Sequence, residues 1–323
     1  MLPSRWLSAL ALALPSAVWA QSSVTLYGVI DTGLTYQSHT NASGGSTVGL
    51  QQGNEGFLSG SRFGLTGKED LGGGLKAGFT LENGFLANNG RFDQQGQLFG
   101  RQALVKIGNQ YGELALGRQY TTANTMLYYV DPLGVGAAPS NSWMVYFTGQ
   151  RYNNAASYTG TFGPVTGIAE YAFGGQPGAG KAMSSLSLGL KYADGPLTMV
   201  GDAQYTHDAA SRTARIYIGG IKATVGPARL FADYIYSDRD AGFDSSNGGT
   251  NTSSITSMST AATLTNIAAL NSVFASERRD DFFTVGASYF ATCYVPLCLG
   301  SSGGVYLGIK QDEVWNLTLN IMR

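Results

Sequence analysis

The chain has 323 residues, 20 basic and 21 acidic, so its formal net charge is −1 and only 13% of it is charged, where soluble domains carry about 25%. That balance excludes a nucleic-acid binder, which needs a basic excess, and 11% aromatic residues at so low a net charge exclude a disordered chain. Glycine, at 45 residues, is roughly twice its ~7% average, and no apolar run after the first twenty positions reaches the about 20 residues of a membrane helix, which leaves an all-β fold, either a soluble sandwich or a membrane barrel.

In chain order, Arg5 opens a short positive segment, Trp6 to Leu14 is apolar, Pro15 interrupts it, and Val18-Trp19-Ala20 offers a small-residue cleavage site before Gln21. This is the pattern of a secretory signal peptide over 1–20, too short to span a bilayer. Strands at period two follow. Leu26, Gly28, Ile30, Thr32 and Leu34 alternate with Tyr27, Val29, Asp31 and Thr35, which predicts a first strand around 24–36. Phe63 and Leu65 face out by the same parity, so Arg62, Gly64, Thr66 and Lys68 face in. Leu75, Ala77, Phe79 and Leu81 alternate with Lys76, Gly78, Thr80 and Glu82. Leu186, Leu188 and Leu190 alternate with Ser185, Ser187, Gly189 and Lys191. One apolar and one polar face is the signature of half-exposed strands. By this alternation Asp31, Lys68, Lys76 and Glu82 are candidates to face a lumen.

Connections alternate between short and long. Asp70 to Gly74, Asn109 to Gly112, Gly163-Pro164, Gly195-Pro196 and Gly226-Pro227 suit tight hairpin turns. Between them lie long stretches at 37–60, 86–98, 120–150, 174–183, 208–213 and 240–278. Short turns on one side and longer loops on the other favour a membrane barrel over a sandwich. Within the last long loop Ile267, Leu270 and Phe274 stand at helical spacing, so a turn or two of helix is expected there.

The opening Gln21-Ser-Ser-Val-Thr-Leu-Tyr-Gly-Val-Ile-Asp31 resembles that of the general porins of Gram-negative bacteria, of the β-proteobacterial type. Further blocks resemble the family in order: Gly60-Ser-Arg-Phe-Gly-Leu-Thr-Gly-Lys-Glu-Asp-Leu-Gly-Gly-Gly-Leu75, Leu81-Glu-Asn-Gly-Phe85, Leu98-Phe-Gly-Arg-Gln-Ala103, Tyr111-Gly112, Leu116-Gly-Arg-Gln-Tyr120 and Phe282-Phe-Thr-Val-Gly-Ala-Ser-Tyr289. The resemblance runs from Gln21 to about Gly300. It implies an all-β transmembrane antiparallel β-barrel, sixteen-stranded in the family, assembled as a homotrimer in the outer-membrane lipid bilayer. It also implies passive diffusion of small hydrophilic solutes and ions, with no cofactor and no nucleic acid.

The family sets basic residues on the barrel wall opposite acids on a third loop that folds inward. By this likeness Arg62, Arg101 and Arg151 are the basic members of a pore constriction, and the third loop, about 120–150, carries Asp131 as its one acid. Arg101 shares parity with Ala103, Val105 and Ile107; it faces inward if small Ala103 lines the lumen and Leu104 faces lipid. Arg118 shares parity with Leu114 and Leu116, which puts it at the rim or past a bulge. Tyr128, Tyr129, Trp143 and Tyr146 either line the opening or pack the loop against the wall. Three arginines against one carboxylate predict weak anion selectivity, since rings of Arg or Lys favour anions.

An enzyme reading finds little support. His39 and His207 have no partner spacing, Gly56 to Gly60 lacks the spacing of a nucleophile elbow, and no metal-ligand spacing occurs. Asp238, Asp240, Asp244 and Asn247 lack the following bidentate Glu of a calcium loop. An outer-membrane adhesin or hydrolase barrel is the distant alternative. The stretch 301–323 is atypical of the family, which continues through further strands to a terminal Phe, and Cys293 and Cys298 adjoin it. Twelve strands are clear, so 12–14 are expected in all. A nearer alternative is therefore a non-functional truncated porin, for which poor assembly into heat-resistant trimers is expected.

Overall fold

The computed structural model describes residues 23–37, 43–51, 60–132, 149–243, 278–290, 309–310 and 314–322. Strand follows strand along the chain: β1 Ser23–Val29, β2 Gly33–Gln37, β3 Thr47–Gln51, β4 Arg62–Gly72, β5 Leu75–Gly84, β6 Gln102–Asn109 and β7 Gly112–Tyr120. Helix α1 Thr122–Val130 precedes β8 Arg151–Phe162, β9 Val165–Ala172, β10 Ser185–Asp194 and β11 Leu197–His207. Then come β12 Thr213–Val225, β13 Ala228–Arg239, β14 Arg278–Phe290, β15 Ile309–Lys310 and β16 Val314–Met322.

Fourteen of these strands form one antiparallel sheet in the order β1-β4-β5-β6-β7-β8-β9-β10-β11-β12-β13-β14-β16-β15. From β4 to β14 every strand pairs with the next in sequence, so each connection is a hairpin or a loop of the same sense. Three of the short turns share one design. Gly163, Gly195 and Gly226 take φ of 58°, 52° and 58° at the first central position, and Pro164, Pro196 and Pro227 follow. A glycine at positive φ there is what a type II′ hairpin turn requires.

The two faces of the sheet are inverted relative to a soluble protein. In β10 Ser185 and Ser187 are fully buried, while Leu186, Leu188 and Leu190 are 44%, 56% and 61% exposed. β11 and β12 repeat the pattern, burying Asp202, Gln204 and Thr206 while Met199, Tyr217 and Ile221 point outward. An apolar outer face over strands of 10 to 13 residues matches the reach of a bilayer-spanning strand. Helix α1 lies against the polar face and touches β9, β10, β11, β12 and β13. Five strands span about 20 Å at ordinary spacing, wider than one helix, so the sheet curves round α1. The architecture is a transmembrane β-barrel with α1 packed against its inner face.

Ala123, Met126, Leu127 and Val130 of α1 pack on Val200, Ile216, Ile218 and Ile235 to form the main apolar cluster. Bare backbone beneath makes room for them: a Cβ on Gly189 would lie 2.8 Å from Met126, and one on Gly220 would lie 2.5 Å from Val130. The helix begins at Thr121, whose Oγ1 accepts from the Asn124 N–H, a side-chain N-cap.

Several sequence expectations need correction. The strand expected over 24–36 breaks after Val29, and β2 pairs with β3 in a separate two-stranded hairpin inside the first long loop. The arrangement expected around Arg101 is reversed: Leu104 is buried on the inner face, while Val105 and Ile107 are 57% and 43% exposed, so Ala103 shares the outer row. Arg101 reaches the lumen because it stands before β6 begins. Within 301–323, β16 pairs with β14 from Phe282↔Met322 to Phe290↔Val314, which leaves the expectation of an atypical tail as it stands. The helical turns expected near Ile267, the aromatic residues Trp143 and Tyr146, the acid Asp244 with Asn247, the cysteines Cys293 and Cys298 and the leader 1–20 lie outside the described residues.

Candidate functional site

Four arginines converge on the inner wall where β4 to β8 meet the long loops. Arg62 starts β4, Arg101 immediately precedes β6, Arg118 sits near the end of β7, and Arg151 starts β8. The register explains the convergence, because Arg62 pairs with Gly84, Ala103 with Arg118 and Tyr120 with Arg151. All four therefore lie at one height on the barrel.

Arg118 arrives by the bulge route. The ladder between β7 and β8 slips between Gly117 and Gln119, and Gly117 adopts φ +132° with its Cβ position 2.2 Å from the Ala103 carbonyl oxygen. Only glycine fits there. The slip turns Arg118 out of the row of Leu114 and Leu116 and buries it to 8% exposure. Its Nε donates to the Gly100 carbonyl at 2.7 Å, and Nη1 donates to Asn153 Oδ1.

Glu82 is the acid of the cluster. Arg101 Nε donates to its Oε1 at 2.7 Å, Tyr27 Oη donates to Oε2 at 2.8 Å, and Arg62 Nε lies 3.7 Å from Oε2. Among the described residues it is the carboxylate ion-paired with these arginines. Tyr120 is the second hub: its hydroxyl oxygen accepts from Arg101 Nη2 at 2.7 Å and from Arg151 Nη2 at 2.8 Å. The Arg151 guanidinium also stacks 4.4 Å above the Tyr120 ring centroid, a cation–π contact. Arg151 Nη1 donates to Gln150 Oε1 at 3.1 Å. These charge-assisted bonds offset the desolvation of side chains only 1–8% exposed.

From the second long loop Asp93 acts on the cluster electrostatically. Its carboxylate caps the short 3-10 turn Gln94–Gly96, accepting from the Gln94 N–H at 2.8 Å. Burial raises the Asp93 carboxyl above its ordinary value, against the pull of that N–H and of Arg151 and Arg101. Among the described residues, four guanidinium groups stand against the carboxylates of Glu82 and Asp93.

The structure thus brings together Arg62, Arg101, Arg118, Arg151 and Glu82, but not Asp131. That residue caps the C-terminus of α1 and is 6% exposed; α1 carries it toward β12, where Val130 rests on Gly220. Lys68 and Lys76 lie toward the short turns, paired with Gly78 and with Gly108. Asp31 stands after β1, its N–H donating to Ser61 Oγ at 3.0 Å. Of the loop tyrosines, Tyr129 packs on the wall and Tyr128 is exposed. Tyr27, Tyr120, Asn153 and Asp93 are not among the site residues expected from the sequence. Tyr120 alone had a signal, since it closes the Leu116-Gly-Arg-Gln-Tyr120 block at the mouth of the third loop.

Asp238 and Asp240, weighed above as calcium ligands, instead face Arg215 at 3.5 and 3.0 Å. Among the described residues no group of three or more His, Cys, Asp or Glu side chains could hold a metal ion.

The model of the Gram-negative porins matches residues 7–292. An outer membrane porin protein of Bordetella pertussis is 34% identical over 219 residues, covering 59% of this chain and 56% of that protein. Outer membrane porin protein 32 of Delftia acidovorans is 38% identical over 199 residues, 58% of this chain and 55% of that one. The chain therefore spans about half the length of these curated relatives. Among solved structures, an anion-selective porin from Comamonas acidovorans superposes with a TM-score of 0.67 at 23% identity, covering 94% of this chain and 80% of that one. The outer membrane protein OmpT of Vibrio cholerae, in its trimer form, gives 0.54 at 14% identity over 84% and 74%. With the fold, its inverted faces and the inward-packed helix α1 agreeing with a match over most of its length, the chain belongs to the Gram-negative porins.

Proposed function

We propose that this chain is an outer-membrane channel through which small hydrophilic solutes and ions diffuse passively, with a weak preference for anions. The single observation that carries the preference is the arginine cluster, whose four guanidinium groups outnumber the carboxylates beside them among the described residues. Fixed charge on a narrow low-dielectric wall acts on every passing ion, unlike a surface ion pair that solvent and salt reduce to about 0–1 kcal/mol. The apolar outer face supports a lipid-exposed barrel, since the band of such a barrel that faces hydrocarbon is apolar and its backbone is paired between strands. The reading includes a leader over 1–20, removed on export, and a homotrimer as the working assembly.

The test is the zero-current potential in a salt gradient across a planar bilayer. Changing Arg62 and Arg101 together to Ser should move it toward cation preference, and the wild-type anion preference should strengthen at low salt as screening falls. A reversal potential unmoved by the double substitution would show that the cluster does not control the current.

A further inference from the structure

Beneath the first turn of α1 the inner wall carries a patch of oxygen atoms that the channel reading does not use. Ser187 of β10 pairs in register with Glu170 of β9, and two residues on, Gly189 pairs with Asp202 of β11. Both β10 positions belong to the inward row, so the two acidic residues flank one short stretch of that strand. Asp202 leans over it, its Oδ2 lying 3.1 Å from the point where a Gly189 Cβ would stand. The helix crosses the same stretch. Its Thr122 N–H donates to Glu170 Oε2 at 3.1 Å, and Met126 Cε lies 2.8 Å from the Gly189 Cβ position. Four helical residues advance about 6 Å and two strand residues about 7 Å, so the spacing of Thr122 and Met126 matches that of Ser187 and Gly189.

Five oxygen atoms of this patch have no hydrogen-bond partner: Thr122 Oγ1, Glu170 Oε1, Ser187 Oγ and both carboxylate oxygens of Asp202. Their residues are only 0–7% exposed. Ser187, wholly buried in the inward row between the two acids, is aimed into the patch. The carboxylates bear on each other, and the Thr122 hydroxyl bears on Asp202. Among the described residues no guanidinium or ammonium donates to either carboxylate. The next inward residue of β10, Lys191, sets its ammonium 4.1 Å from the Tyr129 ring centroid instead. Buried carboxylates without a cation are costly, because their lost hydration is not replaced. Two negative charges among oxygen atoms, with no nitrogen or sulfur, are the donor set of a hard divalent cation.

We propose that Glu170, Asp202, Ser187 and Thr122 bind one calcium ion, which braces the first turn of α1 on the barrel wall. Calcium takes about 6–8 oxygen ligands in adaptable geometry, so these five and water from the lumen complete its shell. Magnesium demands near-ideal octahedral ligation and gives up its water reluctantly, which suits a buried patch poorly. The site uses two carboxylates and two hydroxyls, on strands apart from those of the arginine cluster. It goes beyond the channel reading, since the ion is fixed beneath α1 and carries no current.

The experiment is equilibrium dialysis of the full-length chain, refolded in detergent, against radiolabelled calcium, beside the Glu170→Gln, Asp202→Asn double variant. Wild type should hold about one ion per chain more than the variant, and calcium should delay protease cleavage near α1 in the wild type alone. Ser187→Ala removes one hydroxyl and keeps both charges, so it should weaken that ion by about tenfold, because ligand number tunes calcium affinity. Equal calcium uptake by wild type and double variant overturns the site, the two carboxylates then being served by a shared proton or by water. Should the double variant fail to refold, Ser187→Ala decides: weaker binding supports the site and unchanged affinity overturns it. Magnesium that displaces the ion at equal concentration overturns the assignment to calcium. The channel reading stands or falls separately, on the reversal potential set by the other wall.

Discussion

The two walls of the lumen are held by different physics. On the β4 to β8 wall, three arginines at 1–8% exposure stay in place through Glu82, Tyr120 and backbone carbonyls, each bond directional and charge-assisted. On the β9 to β13 wall, α1 is held by Ala123, Met126, Leu127 and Val130 against Val200, Ile216, Ile218 and Ile235, a contact set by volume and burial. One polar tie reinforces it: Glu170 Oε2 accepts from the Thr122 N–H at 3.1 Å, a carboxylate at a helix N-terminus where the dipole favours it. The outside of this barrel is apolar, so the inside has no general apolar core to draw on. A small dry cluster positions the inward loop, and a polar network positions the charge.

The contrast can be broken most strongly at Glu82. Changing Glu82 to Ala removes the carboxylate from two arginines at once, and deleting one partner of a buried pair costs about 3–5 kcal/mol. Urea unfolding of the refolded protein in detergent should register that loss, while channels that do form should be more anion-selective. On the other wall, Met126→Ala leaves a cavity over Gly189, and large-to-small changes of this kind cost about 2–5 kcal/mol. Here the expected signature is different: noisier open-channel current and earlier protease cleavage near α1, with reversal potential hardly moved.

A subtler separation comes from Tyr120→Phe. It deletes the hydroxyl that accepts from Arg101 and Arg151 but keeps the ring under Arg151, so a loss of about 1.5–3 kcal/mol is expected, together with a smaller change in selectivity than the arginine substitutions give. Asp131→Asn sharpens the same point. Since α1 carries Asp131 away from the cluster, its reversal-potential shift should be smaller than that of Glu82→Gln, and a larger one would put Asp131 back in control of the current.

The smallest effect is on pH. Burial raises the Asp93 carboxyl above its ordinary value of 3.8, so on acidification it takes up a proton before exposed aspartates do. Anion preference should therefore begin to grow at a higher pH in the wild type than in Asp93→Asn. The stability sign runs the same way. A raised folded value means that the contribution of Asp93 is full below the unfolded value and is lost as pH rises through the folded one.

Much of this molecule follows from period two. The inward rows of Arg62 and Thr66, of Glu82 and Thr80, and of Ser185, Ser187 and Lys191 are legible because side chains alternate along an extended backbone whatever the neighbours do. The Gly-Pro turns are legible for an equally local reason, since positive φ at the first turn position favours glycine. Local rules stop where the ladder slips. Arg118 shares parity with Leu116, and only the bulge at Gly117 sends it inward. Arg101 precedes its strand, so parity with Ala103 says nothing about where it points. The meeting of Arg101 and Arg151 on Tyr120 depends on the register of two ladders, β6 with β7 and β7 with β8, and Asp131 is withdrawn by a helix whose seat is the bare backbone of Gly189 and Gly220 on distant strands. Alternation in the sequence decided which side chains of the regular strands face the lumen; strand register, a bulge and loop packing decided where Arg118 and Arg101 point and which side chains meet, because contact between residues far apart in the chain is a property of the whole sheet and of no single segment.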